Sequence, residues 1–213
     1  MTYLSTGPEN SEITLLFAHG AGAGMDSPFM ARFANGLADH GIRVVRFEFP
    51  YMQKARALGK KRPPDRGPKL LAHWRQVIDD FGGPQAVFIG GKSMGGRMAS
   101  LIAAELAQEQ TPVRGVAITG YPFHAPGKLA PENRRIEHLM SEYDTPTLIC
   151  QGARDTFGWW DEVVEYSLPK TIDFCWLEDG DHDFKPRHLS GKTMKENHET
   201  AINALAEWLN KQS

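Results

Sequence analysis

Cysteine is scarce: the only two, Cys150 and Cys175, both lie inside apolar runs. That excludes a disulfide framework, and a reduced, cytoplasmic setting is expected. Long apolar runs are missing too, and none approaches the roughly 20 residues of a membrane-spanning helix. The opening segment MTYLSTGPENSE lacks the basic start and apolar stretch of a secretory signal, so none is expected. Charge of one sign is not in excess: 24 Lys and Arg face 26 Asp and Glu, for a net charge of −2. No global pull toward nucleic acid or an anionic membrane follows, and neither is expected as a partner. There is no H-E-x-x-H and no C-x-x-C, so neither a metal nor another cofactor is expected. What remains is a chain of 213 residues, 41% hydrophobic and 23% charged. That composition fits one globular domain spanning residues 1–213. The sequence carries no signal of oligomeric state.

Short apolar runs rich in β-branched and aromatic residues recur along the chain: ITLLFA (13–18), RVVRFEF (43–49), AVFIG (86–90), GVAIT (115–119), TLIC (147–150) and IDFCWL (172–177). Most are continuously apolar, as parallel strands covered on both faces are. Helical patterns lie between them, over 28–40, 68–81, 94–109, 159–167 and 193–212. In one, Met94, Met98, Leu101, Ile102 and Leu106 share a face. The alternation predicts an α/β fold, a three-layer α/β/α sandwich around a mainly parallel sheet of about six to seven strands. Two connections, about 50–68 and 120–145, are longer than usual. Ligands of such sheets lie at the carboxyl ends of the strands, so the residues just after each strand are the candidates for chemistry.

After AVFIG comes GGKSMGG, residues 90–96. A phosphate loop would need a glycine five residues before Gly91, where the chain has Ala86 inside a predicted strand. The other glycine cluster, Gly20 to Gly24, does not fit G-x-G-x-x-G in any register. The alternative reading is a nucleophile elbow, with Ser93 on a sharp strand-to-helix turn between Gly91 and Gly95. Glycine is needed at both places because a side chain there would collide. The Met94 N–H and the start of the helix would face a developing oxyanion. A second oxyanion donor would come from the loop HGAGAG after the early strand, with Ala21 first and Gly22 behind it. His19 is expected to order that loop.

A serine needs a base, and the base an orienting carboxylate. In this arrangement they follow in the order Ser, Asp or Glu, His. Asp155 lies in the turn QGARD just past TLIC, and His182 in the turn EDGDH just past IDFCWL. They are the residues this order selects. His124, His188 and His198 are rivals for the base; His124 follows the GVAIT strand and could reach the substrate, whereas the other two are expected at the surface. Asp181 and Asp183 are rivals for the acid but lie too close in sequence to His182 for easy geometry.

With HGAG, GKSMGGR, QGARD and DH in these places, the chain resembles the α/β-hydrolase superfamily over nearly its whole length. It is most similar to a small capless branch that includes dienelactone hydrolases. Hydrolase-like domains of a histone-acetyltransferase-complex regulatory subunit and of a testis-expressed protein belong to the same branch. The resemblance implies the triad Ser93, Asp155, His182 and the α/β-hydrolase fold without a large lid. It says little about substrate. Thr156 stands where the branch would have proline after the acid, and the 120–145 connection is too short for a large lid, so the site should be open to solvent.

Residues 54–69, KARALGKKRPPDRGPK, hold seven Lys or Arg against one Asp. They follow the RVVRFEF strand and could overhang the site. Arg56, Arg62 and Arg66 are candidates for forking an anionic group of the substrate; a solvated, proline-stiffened loop is the preferred reading. The segment has no interleaved aromatics to stack bases. Together these features predict a serine hydrolase of small carboxylic esters or thioesters, with a small-molecule acyl substrate. A hydrolase-shaped interaction module without turnover is the alternative.

Overall fold

The computed structural model describes residues 2–140 and 143–213; Ser141 and Glu142, within the 120–145 connection, lie outside the described residues. All six apolar runs form strands. β2 is Thr14–Ala18, β3 Arg43–Phe47, β4 Phe88–Lys92, β5 Val116–Thr119, β6 Thr147–Gly152 and β7 Ile172–Leu177. A seventh, β1 (Tyr3–Thr6), precedes them and pairs antiparallel with β3. The remaining pairs are parallel, in the order β1-β3-β2-β4-β5-β6-β7. β1 has no fully buried residue and ends in the polar pair Ser5 and Thr6, an edge pattern that lacks the apolar run of the inner strands. β4 starts two residues later than its apolar run, because Pro84–Ala86 turns as a 3-10 helix; the strand therefore takes in Gly91 and Lys92.

Helices α1 (Pro28–Asp39), α3 (Gly67–Asp80), α4 (Met94–Gln108) and α7 (Met194–Lys211) lie close to their predicted spans. α1 begins at a proline behind Ser27, whose hydroxyl accepts from Met30 N at 3.4 Å. α7 begins at a capping box between Thr193 and Glu196. The expected connection 50–68 is half helix: α2 covers Pro50–Leu58, opened by proline and closed by Gly59 in the left-handed conformation. α5 (Glu137–Met140) interrupts the other long connection. α6 (Trp160–Val163) is a single turn, shorter than the predicted 159–167, and its chain leaves toward Pro169.

The period-2 alternation of buried strands divides the core. Leu15, Phe17, Val44 and Leu148 pack against Phe33 and Leu37 of α1 and Ile202 and Leu205 of α7. Leu16, Val45, Ile89 and Ile118 pack against Trp74 and Val77 of α3 and Ile102 of α4. The result is three layers with the sheet in the middle. It brings Gly20, Ser93, Asp155 and His182 to the same edge, each just past the carboxyl end of β2, β4, β6 or β7.

Candidate active site

β4 passes into α4 through Ser93, which sits at φ 52° and ψ −115°. A residue with a side chain pays about 1–3 kcal/mol for such backbone and holds it only if its surroundings enforce it. Here Ser93 N donates to Thr119 O at 2.9 Å, and Arg97 N donates to Ser93 O at 3.0 Å. The end of β2 passes tightly under the turn. A Cβ on Gly95 would stand 2.5 Å from Ala18 O and 2.6 Å from His19 O, and one on Gly91 would overlap Ala18 O as well. The two glycines are thus required by the neighbouring strand's backbone.

His182 Nε2 lies 2.9 Å from Ser93 Oγ, and His182 Nδ1 lies 2.7 Å from Asp155 Oδ2. Asp155 is fully buried and accepts only, so Nδ1 carries the proton and Nε2 is left to accept from the serine hydroxyl. Asp155 is held on both oxygens: Phe157 N donates to Oδ1 at 2.9 Å and Gln151 Nε2 donates to Oδ2 at 3.0 Å. The Gln151 amide also donates to Tyr121 O and Gly158 O and accepts from Tyr121 N, so it is locked in place. The Phe157 ring lies 4.4 Å from the His182 ring and shields it.

The rival residues are occupied elsewhere. Asp181 Oδ1 accepts from the backbone N of Asp183 and of Lys185. His124 does not reach Ser93: it is buried with Nε2 3.0 Å from Glu162 Oε2 and Nδ1 2.8 Å from Ala125 O, away from the serine's cavity. His188 is exposed. His198 is not at the surface as expected but buried among Phe29, Phe33 and Phe184, with Nε2 on Asp183 O, because α7 packs its first turns onto α1.

Beside Ser93 the loop after β2 is fixed from behind. His19 donates from Nδ1 to Gly20 O at 2.6 Å and accepts from Phe49 N at Nε2. Both bonds together require the neutral ring, and burial lowers its pKa in that direction. Tyr51 OH donates to Ala21 O at 3.0 Å. Ala21 and Gly22 are exposed and line a cavity of about 300 Å³ together with Phe29, Ser93, Phe157 and His182. No large cap covers it among the described residues. Met94, first residue of α4, has an N–H without an intrahelical acceptor.

Residues 11–210 match the model of the alpha/beta hydrolase domain family. The chain belongs to that family. Its fold is similar to the monoacylglycerol lipase of Paleococcus ferrophilus (14% identity, 100% of this chain and 99% of the other, TM-score 0.71). It is also similar to Est1E of Butyrivibrio proteoclasticus with ferulic acid bound (16%, 99% and 94%, 0.70). The dienelactone hydrolase of Anabaena variabilis is a third such structure (20%, 98% and 90%, 0.66). Family membership supports a hydrolase; the substrate class and the manner of attack rest on the site.

Besides Gln151 and Phe157, this alpha/beta hydrolase carries a further site residue that no motif marked. Lys92, inside GGKSMGG, is buried at the end of β4. Its ammonium donates to His182 O, pairs with Asp183 Oδ1 at 3.2 Å and lies over the rings of Phe29 (4.7 Å) and Phe184 (5.2 Å). Burial pulls its pKa below the usual lysine range, and the Asp183 carboxylate opposes that shift. Lys92 thus ties the serine's strand to the histidine's turn. A lysine closing an otherwise apolar strand was the available signal.

The basic segment of the hydrolase divides. Arg56 lies on α2 and is engaged: its guanidinium meets Glu48 Oε1 at 2.5 Å and Asp26 Oδ1 at 2.8 Å, so it is not free to fork a substrate anion. Arg62 is exposed and lines a second cavity, of about 340 Å³, shared with Ala21 and Gly22. Arg66 precedes α3 and lines neither cavity. Among the described residues no group of three His, Cys, Asp or Glu could hold a metal ion, and no helix is long and apolar enough to cross a membrane.

Proposed function

We propose that the protein is a serine hydrolase of small carboxylic esters or thioesters. The observation that carries this reading is the continuous hydrogen-bonded series Ser93 Oγ, His182 and buried Asp155, opening on a cavity beside Ala21 and Gly22. Ser93 Oγ attacks the carbonyl carbon and its proton passes to His182 Nε2. The N–H groups of Met94 and Ala21, with Gly22 as the alternative, take the oxyanion. The bond to the leaving oxygen or sulfur breaks as His182 returns the proton to it. A water, deprotonated by His182, then attacks the acyl-enzyme and releases the acid. Asp155 keeps the imidazole in the tautomer that both steps require. A neutral acyl substrate needs no basic group; for an anionic one, Arg62 is the arginine beside the cavity that remains unpaired among the described residues.

A fluorophosphonate probe tests this. Wild type should be labelled, and Ser93→Ala and His182→Ala should not. Absence of labelling in folded wild type would sink the hydrolase reading and leave the interaction module. Lys92 supplies a second test. Lys92→Met should lower kcat by about 10²-fold, since displacing a reacting group by about an ångström has that effect. KM should stay within about threefold of wild type, because the lysine, although it borders the cavity, commits its hydrogen bond, ion pair and ring contacts to the protein itself. An unchanged kcat would show that the histidine turn keeps its place without the lysine.

A further inference from the structure

A third cavity, of about 440 Å³, lies under the 125–138 segment and against α4. None of its lining residues lines the cavity at Ser93. Its walls carry Arg97, Lys128, Arg134 and Arg135, with Glu132 and Glu137. Arg97, Arg134 and Arg135 are half-buried, whereas both glutamates are exposed. Among the described residues none of the four cations forms an ion pair, with these glutamates or any other acid. The Nε atoms of Arg97 and Arg134 are buried without an acceptor in the protein. Arg134 rests its guanidinium on the Tyr166 ring at 4.7 Å, which orients it without neutralising it.

The like charges act on one another. Arg135 is lowered in pKa first by burial and then by Arg97. His138, in the same wall, is pushed down to about 4 by burial and then by Arg97, so it stays neutral at pH 7. Its Nε2 is held 2.8 Å from Ser100 Oγ, and that hydroxyl donates to Arg97 O. Four cations against two carboxylates leave a surplus of two positive charges in one concavity.

We propose that this cavity binds a phosphate group, seated on the guanidinium groups of Arg97, Arg134 and Arg135. A phosphate monoester carries close to two negative charges and three acceptor oxygens, which matches both the charge surplus and the three guanidinium groups in the wall. Guanidinium presents paired N–H groups in the fork that such an anion accepts. The volume exceeds that of a phosphate alone, and Leu101 and Ala125 in the wall offer an apolar surface to a small organic carrier. The site is separate from ester cleavage and does not depend on it: Arg97 is one helical turn beyond Ser93 and aims into a different cavity.

Calorimetric titration of the full chain decides the matter, with glycerol 3-phosphate and inorganic phosphate as ligands and glycerol and acetate as controls. Glycerol 3-phosphate should bind saturably, and Arg97→Gln and Arg135→Gln should each weaken it at least about tenfold, as the loss of a charge-assisted bond does. Lys195→Gln, on exposed α7 surface, should bind as wild type does. Inorganic phosphate binding as tightly as the monoester would identify the free ion as the ligand; monoester-only binding would show that the carrier is read as well. Either supports the phosphate site. Circular dichroism checks folding of the arginine variants. Should they not fold, Lys128→Gln, on an exposed loop, carries the test with a weakening of about threefold. No saturable phosphate binding, equal binding of acetate, or wild-type affinity in the folded variants would overturn the proposal.

Discussion

Ser93→Ala is expected to lower kcat on an aryl ester by at least about 10⁴-fold while the protein still folds. The variant removes the atom that attacks, and water without a covalent route must then do the work. What survives is the oxyanion donors and binding, which alone give a residual rate above water. Asp155→Asn should approach the same loss by another route. An amide in place of the carboxylate no longer holds the proton on Nδ1, and the ring can present N–H to the serine instead of a lone pair. The backbone sharpens the first test. Ser93 is held at φ 52° and ψ −115°, a conformation that glycine adopts freely. Ser93→Gly should therefore be as inactive as Ser93→Ala yet unfold at a higher temperature than it does. Steady-state kinetics and thermal unfolding on the three proteins check both. If Ser93→Ala keeps more than about a hundredth of the activity, another residue is the nucleophile.

Gly95→Ala should damage stability and activity together, although it adds only one methyl group. In a helix interior, alanine is ordinarily favoured over glycine by roughly 0.5–1 kcal/mol. Gly67, in the first turn of α3, is a fair control: apart from its chain neighbours, a Cβ there meets nothing within 4 Å. Gly67→Ala is expected to be neutral or slightly stabilising. At Gly95 the new methyl would meet two backbone carbonyls, Ala18 O at 2.5 Å and His19 O at 2.6 Å, which cannot rotate away as a side chain would. Overpacking of this sort costs about 1–3 kcal/mol or more. The strand that yields leads into Gly20 and Ala21, so the same substitution should move Ala21, the proposed oxyanion donor, away from Ser93. Loss of stability and of labelling rate should appear together, by denaturant unfolding and by probe kinetics. A variant as stable and as reactive as wild type would show that the loop after β2 can retreat without consequence.

The residues at the strand ends were legible because each apolar run stops at a residue type with a reason to be there: Ser93 between glycines, Asp155 behind QGAR, His182 behind EDGD. A buried parallel strand writes a continuous signal, and the turn after it is short. β1 was not legible because four residues with no buried side chain write no apolar run, and α2 because nine residues with one buried side chain leave no apolar stripe. The lock on the Gln151 amide and the role of Lys92 depend on partners 30 and 90 residues away, which no local pattern announces. The engagement of Arg56 was hidden for the same reason. Glu48 and Asp26, which occupy it, come from the end of β3 and the loop before α1, and only the fold brings them together.

Ser93 stands in the middle of the sheet, but His182 hangs from β7, which bonds to one neighbour and leaves four of its six residues less than fully buried. Outer strands open at lower free energy than inner ones. Fraying of this hem would unhook the imidazole while the central weave stays intact. The upper temperature of the working protein would then be set by a local opening well below global melting, with the Lys92 ammonium as the stitch that delays it.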